Sequence, residues 1–594
     1  MDTNDTPSSG VRHETATRAA SSDEALGEAS RGSSKWTDGP FRALGRAPTP
    51  DRRIEAIVVL FGYVAVAGLL YQTPLIGHAT SLAAGLGLRD NNAYIWMLAW
   101  PAHAIAGGLG LFHPNIIFVP EGYDLARATP MFTFGVPLAP LTALAGPIVT
   151  YNVVMLAIPA LNGSAAYALC RRLGAPPGPA ALGGFVFATS GIVSFSELGA
   201  PSTACGAFIA VAMLLTLNLL GHKPRWRTAI WLGLDLVAQL YCSAELLVTF
   251  LLFGILTLVI TWALAAQQRD KLRRVLPLLV VAVAILAIGA IPYLWAFAFD
   301  RGIALTHVNP SLYPNDLLGF VVPSPLFRFG RSYFASLSAT FLGEASEAYI
   351  GIGLLGITMW YIAERWRTDV GVRILGVVMV VLAVCSLGTN LTIAGHVTIP
   401  MPWAIVRHVP LLRYIIPSRL SLLLTLGVAI ALAMWLSRRP GVLRWTVALG
   451  SCALLIPNFS GSWSSSFHTP RFFVSGAATR LFTSHDRVLV VPFAGPDEEA
   501  QAESGFAFSL VGGYLGQYPP SYGNYPAVTD LIERTSPPGA PAQVTQFIRD
   551  KHVDAVVVDE NAPGPWRQLF SGLGVQPVAR EGVLLYRLVP GIGL

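Results

Sequence analysis

Charge is what this chain has least of. Only 12% of its 594 residues are Asp, Glu, Lys or Arg, about half the ~25% of a soluble domain. Hydrophobic residues make up 53%, and a soluble fold this apolar lacks the polar surface to cover itself. A soluble enzyme, a disordered protein and a coiled coil are excluded, which leaves a polytopic membrane protein. Cysteine is scarce too. Cys170, Cys205, Cys242, Cys385 and Cys452 lie in or beside apolar segments. None has CxxC or Cys/His ligand spacing, which argues against a disulfide framework or a zinc site. No glycine-rich phosphate loop is present, since Gly512-Gly513 alone is too weak a signal. No repeat of fixed period appears. The net charge of +6 comes without the basic-aromatic patch of a nucleic-acid binder.

The basic residues instead punctuate apolar runs. Residues 1–50 read as a disordered cytoplasmic arm of Ser, Thr, Ala, Gly and charge. This arm lacks the apolar core of a signal peptide, so no cleavage is expected. A first span near 54–71 follows Arg52-Arg53. Further spans are expected near 150–170, 178–196, 203–221, 227–242, 245–266, 275–297, 349–364, 373–388, 417–437 and 443–458. That makes about eleven crossings of ~20 residues each. Basic clusters at Arg171-Arg172, Lys223/Arg225/Arg227, Arg269–Arg274, Arg365/Arg367/Arg373 and Arg438/Arg439/Arg444 fall after every second crossing. The positive-inside rule places all five on the cytoplasmic face. Loops 72–149, 298–348 and 389–416 then face outward, as does the soluble-like segment 459–594. Residues 51–458 thus form a transmembrane domain. In 459–594, strands are expected at 487–492, 553–559 and 582–588, with a helix at 541–551. This β-α-β order suggests a small extracytoplasmic α/β domain. Ala93–Leu109, with Trp96 and Trp100, looks like an interfacial helix with tryptophans at headgroup depth.

Ionisable groups at the mouth of membrane spans are costly and need a reason. Asp90 precedes the Trp96 helix; it fits an N-cap and equally a general base or metal ligand at the membrane boundary. His113-Pro114-Asn115 and Glu121-Gly122-Tyr123-Asp124 read as surface turns or as lining of a substrate cleft. His103 reads as a satisfied helix-face histidine. Asp235 and Glu245 lie in or at the end of apolar spans; Asp235 is a helix partner or a cavity liner, and Glu245 a turn residue or cleft group. Arg413 and Arg419, with Arg407 and His408 upstream, sit at an outer span entrance. Arginines there either snorkel to headgroups or bind a lipid phosphate bidentately. On the outer face they run against the orientation rule, which favours the second use.

These residues, in this order, resemble a family. Asp90, Trp96 and Trp100, His113-Pro114-Asn115 and Pro120-Glu121-Gly122 are similar to the opening of polytopic GT-C superfamily glycosyltransferases and of glycosyltransferase-like bacterial membrane proteins. Ala139–Thr142, Gly146-Pro147, Tyr151-Asn152, Asp316–Phe320, Pro323-Ser324-Pro325, Tyr349–Gly351 and Pro417-Ser418-Arg419 extend the resemblance over about 54–440. It implies a bacterial inner-membrane enzyme that moves a sugar, with inversion, from a polyprenyl-phosphate donor to a cell-envelope glycan or lipid acceptor on the outer face. Asp90 would act as base or metal group, and Arg419 and Arg413 would hold the donor phosphate. His113, Asn115, Glu121, Asp124, Glu245, Glu344 and Glu347 would be cleft candidates. Mg or Mn is an optional cofactor. The C-terminal segment is a place for the acceptor. Arg89 stands where the family often has Gly. Two other readings stay open: a transporter or flippase of a lipid-linked sugar, and a non-catalytic envelope-assembly protein of the same fold.

Overall fold

In the computed structural model the described residues are 50–588, except 88, 222–223, 300–312, 332, 342–346, 407, 410–411, 460–462 and 467–468. The N-terminal arm, Lys223, Glu344 and Arg407 lie outside them. The chain is mostly helical. It opens with α1 (Pro50–Tyr71), a short strand β1 (Leu82–Ala84) and α2 (Arg89–Ala106). Two short helices, Phe132–Gly135 and Ala139–Ala145, follow. The bundle continues with α3 (Pro147–Arg172), α4 (Pro177–Ala188), α5 (Ala207–Leu219), α6 (Trp226–Cys242), α7 (Ala244–Leu264) and α8 (Arg269–Phe299). It closes with α9 (Ile352–Arg365), α10 (Val370–Ser386), a hairpin β2 (Asn390–Ile393)/β3 (His396–Pro400), α11 (Ser421–Arg438) and α12 (Val442–Ala453).

Six helices among the described residues are long and apolar enough to cross a membrane, and three more are apolar but shorter. The expected span 178–196 is not one helix. It stops at Ala188, breaks at Thr189-Ser190 and restarts as Gly191–Ser196. Position in the bundle follows burial: 83% of the apolar stretch of α11 is inside the protein and 67% of that of α3, against 11% for α8. On α8, Leu276, Val280, Ile288, Ile291 and Trp295 point outward, as expected of a face that meets lipid. Small residues let central helices approach closely. A Cβ on Gly184 would collide with the Tyr63 hydroxyl, and one on Gly163 with its ring. Tyr63 also donates to the Ala181 carbonyl at 2.8 Å, joining α1, α3 and α4.

The basic clusters gather helix ends. Arg171 pairs with Glu55 at 2.8 Å, Arg172 donates to Asn218 at 2.6 Å, Arg438 pairs with Asp369 at 3.2 Å and Arg444 with Glu364 at 3.7 Å. Gly178 packs on Trp445. One end of the bundle therefore collects the start of α1, the ends of α3, α5, α9 and α11, and the starts of α4, α10 and α12.

The opposite end carries a layer of sheet and loops. Strand β4 (Ser464–Ser466) pairs antiparallel with β1, Leu82 opposite Ser466 and Ala84 opposite Ser464. Then come β5 (Arg487–Val491), α13 (Pro496–Glu503), β6 (Ser509–Leu510), α14 (Ala540–Asp550), β7 (Ala555–Asp559), β8 (Val578–Arg580) and β9 (Val583–Arg587). They form a five-stranded sheet of order β6-β5-β7-β9-β8, with β5 parallel to both β6 and β7 and the other pairs antiparallel. Val488–Val491 and Ala555–Val558 are buried throughout, as parallel central strands covered on both faces must be. Residues 75–158 and 472–586 share one apolar cluster. Ile117 bridges to Leu510, and Leu510 donates its amide to Ile116 at 2.8 Å, so the first loop extends the sheet edge. Trp96 and Trp100, expected at headgroup depth, are instead buried at 0% and 1% exposure. They stack at 5.6 Å, and Trp96 donates to Gln501 of α13 at 2.7 Å. The α/β layer covers the face that the sequence pattern assigned to lipid.

Candidate active site

The turn before α2 is pinned from three sides. Asn91, fully buried, donates to the Ala84 carbonyl at 2.7 Å and to the Tyr151 hydroxyl of α3 at 3.0 Å. Its amide fills the space above Gly199, φ +141°, where any Cβ would strike it. Tyr94, one turn on, shares a 2.5 Å hydrogen bond with Ser202. This fixation holds Asp90 in the first turn of α2 with its side chain exposed, favoured there by the helix dipole.

Arg419 comes from the opposite wall. Pro417–Leu420 form a 3-10 turn that leads into α11, with Pro417 and Ser418 buried. The Arg419 guanidinium is ion-paired with Glu245 in the first turn of α7. Glu245 also accepts from the Ile416 amide at 2.8 Å. Glu245 is thus the partner that positions Arg419. Both charges are felt at Tyr94. Burial raises the Tyr94 hydroxyl most; the Ser202 hydrogen bond opposes, the Asp90 charge adds and the Arg419 charge opposes.

The α/β layer supplies a third wall. Burial pushes the Tyr514 hydroxyl up to about 12, with the Asp90 carboxylate adding and Arg89 opposing. Burial also raises Tyr518, against the Arg89 charge. Arg89 lies against Gly495 at the start of α13. Behind it, Asp497, Glu498 and Glu499 of α13 are buried. Burial raises the Glu498 carboxyl well above its usual range, and the neighbouring Asp497 adds to this. Burial brings Glu499 to about 8 against the hydrogen bond from Thr469. Carboxyls raised in this way hold their protons more tightly than exposed ones, which suits a water-poor wall.

Other candidates fall elsewhere or take structural roles. Arg413 is exposed in the short 3-10 turn Leu412–Tyr414. His113 and Asn115 are exposed. Glu121 accepts from Lys551 and, at 3.1 Å, from Ser521, so it ties the first loop to the α/β layer. Asp124 is buried and caps the turn Leu125–Arg127 through the Ala126 amide at 2.8 Å. Glu347 is fully buried. Asp235 is half-buried on α6, and His103 packs its ring on Phe506 at 4.7 Å. Asp316, part of a recognised motif, holds the β2–β3 turn through the Ala394 and Gly395 amides at 3.1 and 2.8 Å. Sequence reading missed Asn91, Tyr94, Tyr514 and Glu498. For Asn91-Asn92 beside an acidic turn, polar density in an apolar stretch was a usable signal. For Tyr514 and Glu498, some four hundred residues away, there was none. Among the described residues no three His, Cys, Asp or Glu side chains converge as a metal site.

A family described as a domain of unknown function (DUF6311) matches residues 108–456, more than half of the chain. No curated protein matches. Among solved structures the chain is similar to the oligosaccharyltransferase AglB of Archaeoglobus fulgidus in complex with an inhibitory peptide and a dolichol-phosphate. There the identity is 10% and the TM-score 0.46, over 86% of this chain and 70% of that one. An acceptor-tethered form of the Archaeoglobus fulgidus oligosaccharyltransferase gives 10% identity and a TM-score of 0.48, over 85% and 69%. ArnT from Cupriavidus metallidurans in the apo state gives 12% and 0.45, over 91% and 99%. Likenesses this distant carry no argument about activity.

Proposed function

Because the chain belongs to the family described as a domain of unknown function (DUF6311), whose name assigns no activity, we propose its function from the site itself. It is a multi-pass membrane glycosyltransferase that moves a sugar from a polyprenyl-phosphate donor to an envelope acceptor on the extracytoplasmic face. One observation supports this above the rest. An exposed carboxylate, Asp90 in the first turn of α2, and a half-buried guanidinium, Arg419 held by Glu245 ahead of α11, both stand at the ends of apolar helices. A lipid donor needs such a place, since its tail stays in the bilayer while its phosphate reaches an aqueous cleft. Orientation follows the basic clusters, with their end of the bundle in the cytoplasm.

In this reading the acceptor hydroxyl gives its proton to Asp90 as its oxygen attacks the anomeric carbon. The bond to the lipid phosphate breaks on the opposite face of the sugar. Arg419, aligned by Glu245, takes up the charge that develops on the departing phosphate; preorganised charge contributes most in such steps. The test is Asp90→Asn in purified, folded protein offered radiolabelled polyprenyl-phosphate sugars and envelope acceptors. Transfer is expected to fall by about 100-fold or more, the scale of a lost general base. Full retained transfer removes Asp90 from the mechanism. Proteoliposomes that translocate the lipid-linked sugar without transferring it overturn the transferase reading in favour of a flippase.

A further inference from the structure

A cavity of about 370 Å³ lies between the turn that leads into α2 and the α/β sheet. Its size sits at the small end of the ~300–1,000 Å³ range of small-molecule sites. Its position in the sheet is not accidental. It opens at the carboxyl ends of β5 and β7, where Val491-Pro492 and Asp559 line it. The connection from β5 leads to β6 on one side, and β7 pairs with β9 on the other. Ligands of open α/β sheets bind where the connections diverge in this way. The other wall holds Gly87 and Asn92, on either side of Asp90 in the chain.

The lining has unmet hydrogen-bonding capacity. Asn92 is 1% exposed, yet among the described residues its side-chain oxygen has no hydrogen-bond partner, and neither has the Ser465 hydroxyl. A buried polar atom left unpaired is costly, so a ligand that satisfies it is favoured. Glu499, bonded to Thr469 at 2.5 Å, and Asp559 face one cation, Arg534. The Asp559 carboxylate offsets the Arg534 guanidinium and Glu499 adds no positive charge, so the lining offers a phosphate or other anion no net attraction. Phe473 and several prolines supply an apolar floor. Hydroxyls that both donate and accept, on a ring with apolar C–H faces, match this lining.

We infer that this cavity binds a neutral carbohydrate, with Asn92 and Ser465 bonding its hydroxyls. Its assignment as the acceptor sugar rests on the proposed transferase reading; the binding itself does not.

The test is saturation-transfer NMR on the detergent-solubilised full chain. The probes are methyl glycosides of glucose, mannose, galactose and arabinose, with inorganic phosphate as the anionic control. At least one glycoside is expected to bind. Its affinity should fall tenfold or more in Ser465→Val, which suits a strand, and in Asn92→Leu. Absence of glycoside binding, equal binding by a folded Ser465→Val protein, or displacement by phosphate would each overturn the site. Glycoside binding in a protein that transfers no sugar keeps the site and sinks only the transferase. Unchanged transfer to a glycosidic acceptor by a glycoside-blind variant sinks only the acceptor assignment.

Discussion

The Glu245–Arg419 pair shows how a charge is kept at the edge of an apolar bundle. Both side chains are about one-fifth exposed, so desolvation is partial and pairing offsets it. Glu245 fixes both the guanidinium and the Ile416 amide, which sets the turn ahead of α11. Removing one partner of a fully buried pair costs about 3–5 kcal/mol; this half-buried one costs less. Arg419→Lys keeps the charge but loses the planar fork that holds a carboxylate and a phosphate together. We expect the lysine variant to stay folded and its kcat/KM for the lipid donor to fall by about 100-fold, the scale of one lost transition-state donor. Steady-state kinetics against donor concentration checks this, and near-normal kinetics would leave Arg419 as a structural ion pair. Both residues stood out in the sequence because charge is rare there. Their contact did not, since it joins the starts of two helices 174 positions apart.

At the scale of elements, α13 is the unexpected one. Three consecutive acids form its first turn, and all are buried against α2 and the sheet. Burial raises Glu499 from 4.5 to about 8 and Glu503 from 4.5 to about 7. A carboxyl with a raised pKa holds its proton more tightly in the folded chain than in the unfolded one. It therefore stabilises fully below about pH 4.5, and that stability is lost as pH climbs toward about 8. The melting midpoint of the purified protein is expected to fall between about pH 5 and 8, and Glu499→Gln to flatten that fall. A midpoint that rises over this range would contradict the burial of α13. The composition of 496–503 is that of a solvent-exposed acidic turn; only packing beneath Trp96 makes it interior.

The whole molecule is a helical bundle with its arginine-rich helix ends at one pole and an α/β layer at the other. This polarity predicts a labelling pattern. Cys170, Cys205, Cys242 and Cys452 are buried and Cys385 is half-buried, so the native background is low. A cysteine at exposed His113 should react with a membrane-impermeant maleimide in intact spheroplasts. One at exposed Arg439 should react only after permeabilisation. The reverse pattern would place the α/β layer in the cytoplasm and end the proposed use of an outer-leaflet donor.

Local pattern settled what depends on neighbours in the chain. Apolar runs gave the membrane class and most helices, and strands near 487–491, 555–559 and 583–587 followed from short Val/Leu runs bounded by turns. The scarcity of charge also singled out Asp90, Glu245 and Arg419. What periodicity cannot carry is which distant segments pair. The β1–β4 ladder joins Leu82 to Ser466, and the Ile117–Leu510 bridge and the Trp96–Gln501 bond close over similar separations. Those contacts turn a supposed interfacial helix into core, bring Tyr514 within reach of the Asp90 charge, and enclose the cavity above β5 and β7. Burial, and with it the protonation of α13 and the chemistry around Asp90, is a property of segments meeting in space.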